Sequence, residues 1–255
     1  MSFVDSHCHI NFRELAENIT DVLAKMQQND VLNALCVSVN LADFPEVLAL
    51  ASQYPHIYAS VGVHPDYEQV EEPTVARLVA LAQHAKVVAI GETGLDYLRL
   101  TGDLEWQRER FRTHIRAARE CAKPLIIHTR NAAEDTLRIM AEEGAADAGG
   151  VLHCFTESWE VAQQALDMGF YISFSGIITF KSALQIKAVA QRVPLDRMLI
   201  ETDSPYLAPV PFRGKLNQPG YVKHVAEEIA LLRDISVAEV GLRTSENFAR
   251  LFKLS

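Results

Sequence analysis

The chain has 255 residues, of which 49% are hydrophobic and 22% charged, and this composition excludes an intrinsically disordered protein. A chain of this length buries about 70–75% of the surface that it exposes when unfolded, so it needs no disulfide bonds to be stable. The formal net charge of -9 argues against a protein that coats nucleic acid through bulk positive charge. It leaves open an enzyme that binds one nucleic-acid end in a local site.

The first residues lack the basic and apolar regions of a signal peptide, and no apolar run reaches the length of a transmembrane helix. The four cysteines form no CxxC pair, and most of them lie in apolar runs, as free thiols do. We therefore expect a soluble, reduced, cytoplasmic protein without membrane attachment. Nothing in the sequence indicates an obligate protein partner.

Eight short apolar runs recur along the chain, and several are nearly continuous in Val, Ile and Leu, which is typical of parallel strands covered by helices. The runs are residues 3–7, 31–39, 57–63, 87–91, 124–128, 151–154, 170–174 and 197–202. Longer helical patterns separate them. This alternation predicts a single (β/α)8 TIM barrel formed by residues 1–255 as one domain. A doubly wound open sheet is the alternative, but neither a GxGxxG nor a Walker A motif supports it.

Several helices have recognisable boundaries. An amphipathic stripe runs through residues 104–121, and Gly169 follows a helical pattern over residues 157–168. Asn131 with Glu134 resembles a capping box, which predicts a helix that stops at Gly144. A second capping box and an apolar face predict a closing helix, and its marker residues are Ser236, Glu239, Phe248, Leu251 and Phe252.

Polar side chains gather at the carboxyl ends of the predicted strands, where barrel enzymes place their chemistry. The spacing of two between His7 and His9 puts both side chains on one face of the first strand. Five histidines and two carboxylates share this end of the barrel, namely His7, His9, His64, Glu92, His128, His153 and Asp203. An ionised carboxylate without a partner beside an apolar run would cost free energy. We therefore infer that one feature, a metal site, explains why all seven residues lie at this end.

Four imidazoles and two carboxylates are more ligands than one tetrahedral zinc with an open position needs. The predicted metal ligands are His7, His9, Glu92, His128, His153 and Asp203. They suit two divalent ions, from among Zn, Mn, Mg, Ni and Fe, with Glu92 bridging the two ions. Asp203 is placed to ligate one ion and to take the proton from a nucleophilic water. Asp203 and Glu92 are therefore the predicted catalytic carboxylates of a hydrolase.

Six short segments of the sequence hold most of these polar residues, namely DSHCH at 5–9, GVHP at 62–65, GETGLD at 91–96, HTR at 128–130, LHCF at 152–155 and ETDSPY at 201–206. Together they resemble the TatD family of metal-dependent deoxyribonucleases, which lies within the wider amidohydrolase superfamily. The resemblance implies a TIM barrel, a centre of one or two metals with the same six ligands, and cleavage of DNA, often from the 3′ end of single strands. Gln218 departs from the family, because many members carry a glutamate there, and it lacks the carboxylate.

Further residues near the predicted mouth suit a phosphodiester substrate. His64 is not needed as a ligand and could bind phosphate or protonate the leaving oxygen, which would make it catalytic. Arg130 lies just past the fifth run, where a guanidinium suits bidentate phosphate binding. Arg213 and Lys215 lie in the loop after the eighth run and could do the same, and Tyr206 could stack on a base.

The ligand set predicts a metal-dependent hydrolase. The resemblance implies a deoxyribonuclease that cleaves phosphodiester bonds at DNA ends, as a 3′–5′ exonuclease, with single strands or strand ends as its substrate. An ester, lactone or amide hydrolase, including a D-aminoacyl-tRNA deacylase, is the alternative, because the same activated water serves carbonyl and phosphoryl centres. A barrel without catalytic activity is a third possibility. Such a barrel would be expected to have lost ligands that this chain retains.

Overall fold

The computed structural model describes residues 2–254, in which eight parallel strands form one sheet in the order of the sequence. The strands are β1 (Phe3–Cys8), β2 (Val31–Cys36), β3 (Ile57–Val61), β4 (Val87–Asp96), β5 (Leu125–Arg130), β6 (Gly150–Leu152), β7 (Tyr171–Phe174) and β8 (Met198–Ile200). After β8, the N–H of Asp203 donates to the His7 carbonyl at 2.9 Å, and the N–H of His9 donates to the Ser204 carbonyl at 2.8 Å. These bonds join the first and last strands, which confirms the TIM barrel and excludes the open sheet.

Helices follow most strands and cover the outside of the barrel. They are α1 (Arg13–Ala16), α2 (Ile19–Gln28), α3 (Phe44–Gln53), α4 (Val75–Ala82), α5 (Glu105–Cys121), α6 (Ala133–Glu142), α7 (Trp159–Asp167), α8 (Leu184–Arg192), α9 (Val222–Arg233) and α10 (Val237–Leu251). The stripe predicted for α5 is confirmed, since Phe111, Ile115 and Ala118 are fully buried. Among the helices of residues 2–254, none combines the length and apolar character needed to cross a membrane.

The alternating side chains of the strands form two apolar cores. One core lies between strands and helices and includes Ile57 of β3, Leu125 of β5 and Phe111 of α5. The other core takes side chains from the strands of the barrel interior, namely Val4, Leu35, Val88, Ala89, Ile126, Val151, Tyr171 and Leu199. Phe248 and Phe252 of α10 belong to this second core. They pack at the amino-terminal end of the barrel, where the ring centroid of Phe248 lies 6.1 Å from that of Tyr58.

Two predicted capping boxes have different outcomes. The Ser236 hydroxyl accepts a hydrogen bond from the Glu239 N–H at 3.1 Å, which confirms the box at the start of α10. The box at Asn131 is wrong, because α6 begins at Ala133 without a side-chain cap. Asn131 has a left-handed φ of 53°, whereas a capping residue needs extended backbone. The stop after α6 is confirmed by Gly144, whose φ is 65°.

Strand β4 is longer than the predicted run of residues 87–91 and extends to Asp96. Its last residues continue the parallel pairing with β5, where Gly94 lies opposite His128. Gly94 permits this approach, because a Cβ atom there would collide with the His128 carbonyl oxygen. Glu92 consequently lies within a strand, rather than after one, and its side chain is 4% exposed.

Candidate metal centre

The structure brings all seven predicted polar residues together at the carboxyl end of the barrel. Six of them line a cleft of about 320 Å³, namely His9, His64, Glu92, His128, His153 and Asp203. His7 lies behind them, with its ring stacked on that of His153 at a centroid distance of 3.9 Å. Strands β1, β4 and β5 carry His7, Glu92 and His128, and the short segments that follow strands carry the rest.

The two oxygens of the Glu92 carboxylate face different histidines. Oε2 lies 3.4 Å from Nε2 of His7 and 3.8 Å from Nε2 of His9. Oε1 lies 2.8 Å from Nε2 of His153 and 3.3 Å from Nδ1 of His128. One carboxylate therefore stands between two pairs of imidazole nitrogens, the arrangement expected of a residue shared by two cations.

Asp203 adds a second carboxylate on the Oε2 side. Its Oδ1 lies 3.4 Å from Nε2 of His9 and 3.6 Å from Nε2 of His7. The donor atoms form three overlapping groups within which all atoms lie within 4.8 Å of one another. The groups are His7 with His153 and Asp203, His7 with His9 and Glu92, and His64 with Glu92 and His128. Such spacing lets a single cation contact every member of a group.

Three of the histidines are oriented through their outer ring nitrogen by an acceptor. These contacts join His9 Nδ1 to the Val37 carbonyl at 2.9 Å, His128 Nε2 to Asp96 Oδ2 at 3.2 Å and His153 Nδ1 to Glu201 Oε1 at 3.2 Å. Each acceptor requires a hydrogen on the outer nitrogen of the ring. In a neutral imidazole the inner nitrogen then carries no hydrogen and presents its lone pair to the cleft. This is how histidine ligands are held in metal sites.

The inner nitrogen of His153 shows most directly that the centre fits a cation. It is buried, and within residues 2–254 it makes no hydrogen bond, although Glu92 Oε1 lies only 2.8 Å away. The nitrogen and the oxygen are therefore not aimed at each other. A divalent cation between imidazole nitrogens and carboxylate oxygens would satisfy both, and this donor set suits Zn, Mn, Fe or Ni.

The charge state of the centre also suits metal binding. Burial alone would raise the pKa of Glu92, but the neighbouring His153 and other histidines outweigh burial and hold that pKa well below its ordinary value. The pKa of Asp203 is likewise lowered, because its hydrogen bond with His9 outweighs burial. Burial and the adjacent His153 lower the pKa of His7. Anionic carboxylates and a neutral imidazole are the forms that bind cations. Burial also favours the neutral rings of His9 and His153, but the hydrogen bond to Asp203 and the charge of Glu92 outweigh it and raise the pKa of both histidines. A cation that binds these two rings would therefore displace a proton.

His64 shares an oxygen of Glu92 with the other histidines, since its Nε2 lies 3.2 Å from Oε1. Its Nδ1 hydrogen-bonds Asp66. Burial favours the neutral ring, but the negative charge of Glu92 and the bond to Asp66 outweigh burial and raise the pKa of His64 to about 9. Helix α5 fixes the backbone here, because Arg110 donates to the His64 carbonyl at 3.1 Å.

The residues predicted to contact substrate divide into two groups. Arg130 and Tyr206 line the cleft, as His64 does, and the Tyr206 residue is 56% exposed. Arg213 and Lys215 are not among the cleft-lining residues of the described chain. The Arg213 guanidinium instead packs over the Phe180 ring at 4.4 Å, and the Lys215 ammonium lies 6.0 Å from the centroid of the Phe212 ring. The structure therefore does not bring Arg213 or Lys215 to the centre.

Several residues of the site were not predicted. They are Phe12, Asp66, Tyr67 and Arg99, which line the cleft, and Asp96 and Glu201, which are fully buried behind its histidines. A signal for the last two was present, because each belongs to a segment that resembles the TatD family. A fully buried carboxylate needs a partner, and both have a histidine as that partner.

Comparison with known proteins assigns the family. The family model described as TatD related DNase matches residues 4–253. The chain belongs to the TatD family. The metal-dependent hydrolase YcfH of Escherichia coli K12 is 49% identical over 257 residues, which cover 100% of this chain and 97% of that protein. The 3′-5′ ssDNA/RNA exonuclease TatD of Salmonella typhimurium is 32% identical, with 98% of each chain covered.

Solved structures agree with this assignment. The crystal structure of YjjV, a TatD homologue of Escherichia coli K12, superposes with a TM-score of 0.92 at 28% identity, and the match covers 99% of this chain and 98% of that one. An organophosphorus hydrolase of Deinococcus radiodurans has a TM-score of 0.65 at 17% identity and covers 98% of this chain and 92% of its own, which shows a shared fold. This TatD family member is a metal-dependent hydrolase.

Proposed function

We propose that this hydrolase is a metal-dependent deoxyribonuclease that releases nucleotides from the 3′ end of single-stranded DNA. The observation that carries the proposal is the Glu92 carboxylate, whose Oε2 faces two histidine nitrogens and whose Oε1 faces three. A site for two divalent ions suits the attack of water on a phosphodiester. The DNase description of the family model and the exonuclease name of the Salmonella relative support nucleic acid as the substrate.

In this proposal the six ligands divide between two ions. The first set is His7, His9, Asp203 and Oε2 of Glu92, and the second set is His128, His153 and Oε1 of Glu92. The donor types admit Zn, Mn, Mg, Ni or Fe. When bound, two divalent ions would lower the pKa of water and neutralise charge on the oxygens of the reacting phosphate.

Side chains that reach the cleft would transfer protons and bind the substrate. The Asp203 side chain is 17% exposed and anionic, so it can accept the proton of the attacking water, whereas the more deeply buried Glu92 holds the ions. His64 is placed at the cleft wall to donate a proton to the leaving oxygen or to bind the phosphate. Arg130 would bind non-bridging phosphate oxygens, and Tyr206 would stack on the terminal base.

The test is a digestion of one single-stranded DNA labelled at either its 5′ or its 3′ end, with the protein loaded with Mn, Zn or Mg. We expect the 3′ label to leave as a mononucleotide and the 5′-labelled strand to shorten stepwise. His153→Ala is expected to release nucleotides far more slowly than the wild type. Digestion of an RNA strand of the same sequence shows whether the enzyme discriminates between ribose and deoxyribose.

The proposal is wrong if the wild type releases no nucleotides, or if His153→Ala releases them at the wild-type rate. A parallel panel of carboxylic esters, lactones and aminoacyl esters tests the alternative hydrolase. Rapid turnover on that panel, with none on DNA, would assign the same centre to a carbonyl substrate.

A further inference from the structure

The cleft rim carries an arginine, Arg99, to which no role has been given. It lies in the loop between β4 and α5 and lines the cleft, and its side chain is 58% exposed. Its Nη1 donates to Oδ2 of Asp66 at 2.6 Å, while Oδ1 of Asp66 accepts from Nδ1 of His64. Because a guanidinium has five N–H donors, this bond leaves Arg99 with donors for a ligand.

The backbone of this loop is held as well. Oδ1 of the fully buried Asp96 accepts from the N–H groups of Leu98 and Arg99 at 2.9 and 3.0 Å. Oδ2 of the same carboxylate lies 3.2 Å from Nε2 of His128 and 3.6 Å from Nη1 of Arg130. A single aspartate therefore contacts the loop of Arg99, the guanidinium of Arg130 and a histidine of the metal centre.

Each of the two arginines thus contacts an aspartate that in turn contacts a histidine of the cleft. Arg99 is connected through Asp66 to His64, and Arg130 is connected through Asp96 to His128. Both of these histidines face Oε1 of Glu92. Exposed ion pairs add little to folding stability, so stability does not account for the Asp66 pair. A guanidinium that is already oriented loses less conformational freedom when it binds an anion.

We propose that Arg99 binds the phosphate next to the one that is cleaved. This inference rests on the proposed function, in which Arg130 contacts the reacting phosphate. The side chain of Arg99 is 58% exposed, against 38% for Arg130, so Arg99 is the more accessible of the two cations and is available to the adjoining residue of the strand. The preferred substrate is accordingly a chain with at least two phosphodiesters, rather than a small molecule with a single phosphoester.

Two measurements test Arg99, both on the full chain loaded with Mn. The first is the fluorescence anisotropy of a fluorescein-labelled thymidine decamer with phosphorothioate links, which resists cleavage. The second is the ratio of KM for a DNA decamer to KM for the p-nitrophenyl ester of thymidine 5′-phosphate, which has one phosphate. Arg243→Gln is the matched control, because this arginine of α10 is 51% exposed and pairs with Glu246 outside the cleft.

For Arg99→Gln we expect the Kd of the decamer and the ratio of KM values each to rise about tenfold, the scale of one charge-assisted contact. The slope of log Kd against log salt should become shallower by about 0.7, as for one lost phosphate contact on a single strand. Arg99→Lys should recover part of the affinity. Arg243→Gln should match the wild type.

An unchanged Kd and salt slope in Arg99→Gln would overturn the inference, and so would an equal loss in Arg243→Gln. The outcome is separable from that of the proposed function. If the wild type binds the decamer but releases no nucleotides from DNA, the proposed function fails, while the anisotropy comparison still decides whether Arg99 binds phosphate. If the wild type does not bind the decamer, both fail.

Discussion

Glu92 lies in the middle of the candidate metal centre. Its side chain is 4% exposed, and its Oε2 faces the nitrogens of two histidines while its Oε1 faces those of three. A buried carboxylate would be costly without positive partners, and the histidines around it lower its pKa. Outer acceptors hold His9, His128 and His153, so that the inner nitrogen of each neutral ring faces the cleft.

The substitution Glu92→Gln keeps the shape of this side chain and removes its charge. We expect metal content to fall and nucleotide release to drop by at least about 100-fold, because both ions lose their shared anionic ligand. Elemental analysis and steady-state kinetics measure the two effects. Glu246→Gln is the control for loss of one carboxylate, because this side chain of α10 is 44% exposed and lies outside the cleft. Full metal content and activity in Glu92→Gln would contradict the role of Glu92 in the centre.

Substitution of Arg130 tests whether the enzyme is a phosphodiesterase or a carbonyl hydrolase. Arg130→Ala should lower kcat/KM for single-stranded DNA by about 10- to 100-fold, because a bidentate contact with phosphate is lost. Arg130→Lys should restore only part of that loss, since lysine cannot form the planar fork. Full activity of Arg130→Ala on DNA, at an unchanged melting temperature, would remove Arg130 from the substrate site.

At the scale of secondary-structure elements, the close contact between the end of β3 and β4 positions Glu92. A Cβ atom at Gly62 would lie 2.5 Å from the carbonyl carbon of Gly91 and 2.8 Å from the carbonyl oxygen of Glu92. Gly62→Ala should therefore displace β4, lower stability by about 1–3 kcal/mol and reduce activity by an order of magnitude or more.

The control for this substitution is Gly149→Ala, because Gly149 has a φ of 68° and open space around its missing Cβ atom. Gly149→Ala should lose about 1–2 kcal/mol to backbone strain and keep its activity. Thermal unfolding and kcat are the measurements. Equal losses of activity in both variants at equal stability would show that the contact at Gly62 does not position Glu92.

Helix α5 contributes a buried histidine that makes stability depend on pH. Nε2 of His114 accepts from the Val63 N–H at 3.0 Å, and its Nδ1 donates to the Arg110 carbonyl. Burial lowers the pKa of His114 from 6.5 to about 4. Between pH 6.5 and 4 the unfolded chain binds a proton at this histidine that the folded chain does not bind. The free energy of unfolding should therefore decrease as the pH is lowered through this window, by up to about 3 kcal/mol.

Urea unfolding at a series of pH values from 7 to 4.5 checks this expectation. His114→Gln removes the titrating ring while the amide can still accept from Val63. We expect the variant to lose less stability than the wild type as pH falls, because all other titrating groups are common to both proteins. Parallel stability curves for the two proteins would show that His114 does not carry this pH dependence.

The position of the centre was predictable because parallel strands end at one edge of a barrel, so His7, His128 and Asp203 had to approach one another. The extension of β4 was not predictable, since Gly91 and Gly94 usually mark a loop. Here their missing side chains let neighbouring strands pass close by.

The contacts between loops could not be predicted from the sequence, for a different reason. Arg99 and Asp66 are 33 residues apart, on loops after different strands, and no local pattern connects them. Arg213 and Lys215 follow β8, but position after a strand does not determine the direction of a side chain. In the structure both pack on aromatic rings, Phe180 and Phe212, where the cation gains contact with the ring face.

At the scale of the whole molecule, the net charge of -9 works against nucleic acid unless cations occupy the cleft. Divalent ions would reverse the local field at the strand ends without changing the rest of the surface. Binding of the phosphorothioate decamer should therefore be weak in EDTA and strengthen at least about tenfold when Mn is added, as followed by fluorescence anisotropy. Equal affinity in EDTA and in Mn would mean that the metals do not take part in holding the strand.

The proposed two-metal centre is tested most directly by an anomalous difference map from crystals soaked in Mn. Two peaks are expected, one beside each oxygen of Glu92, with His7, His9 and Asp203 at the first and His128 and His153 at the second. A single peak, or peaks that do not contact Glu92, would contradict a carboxylate shared between two ions.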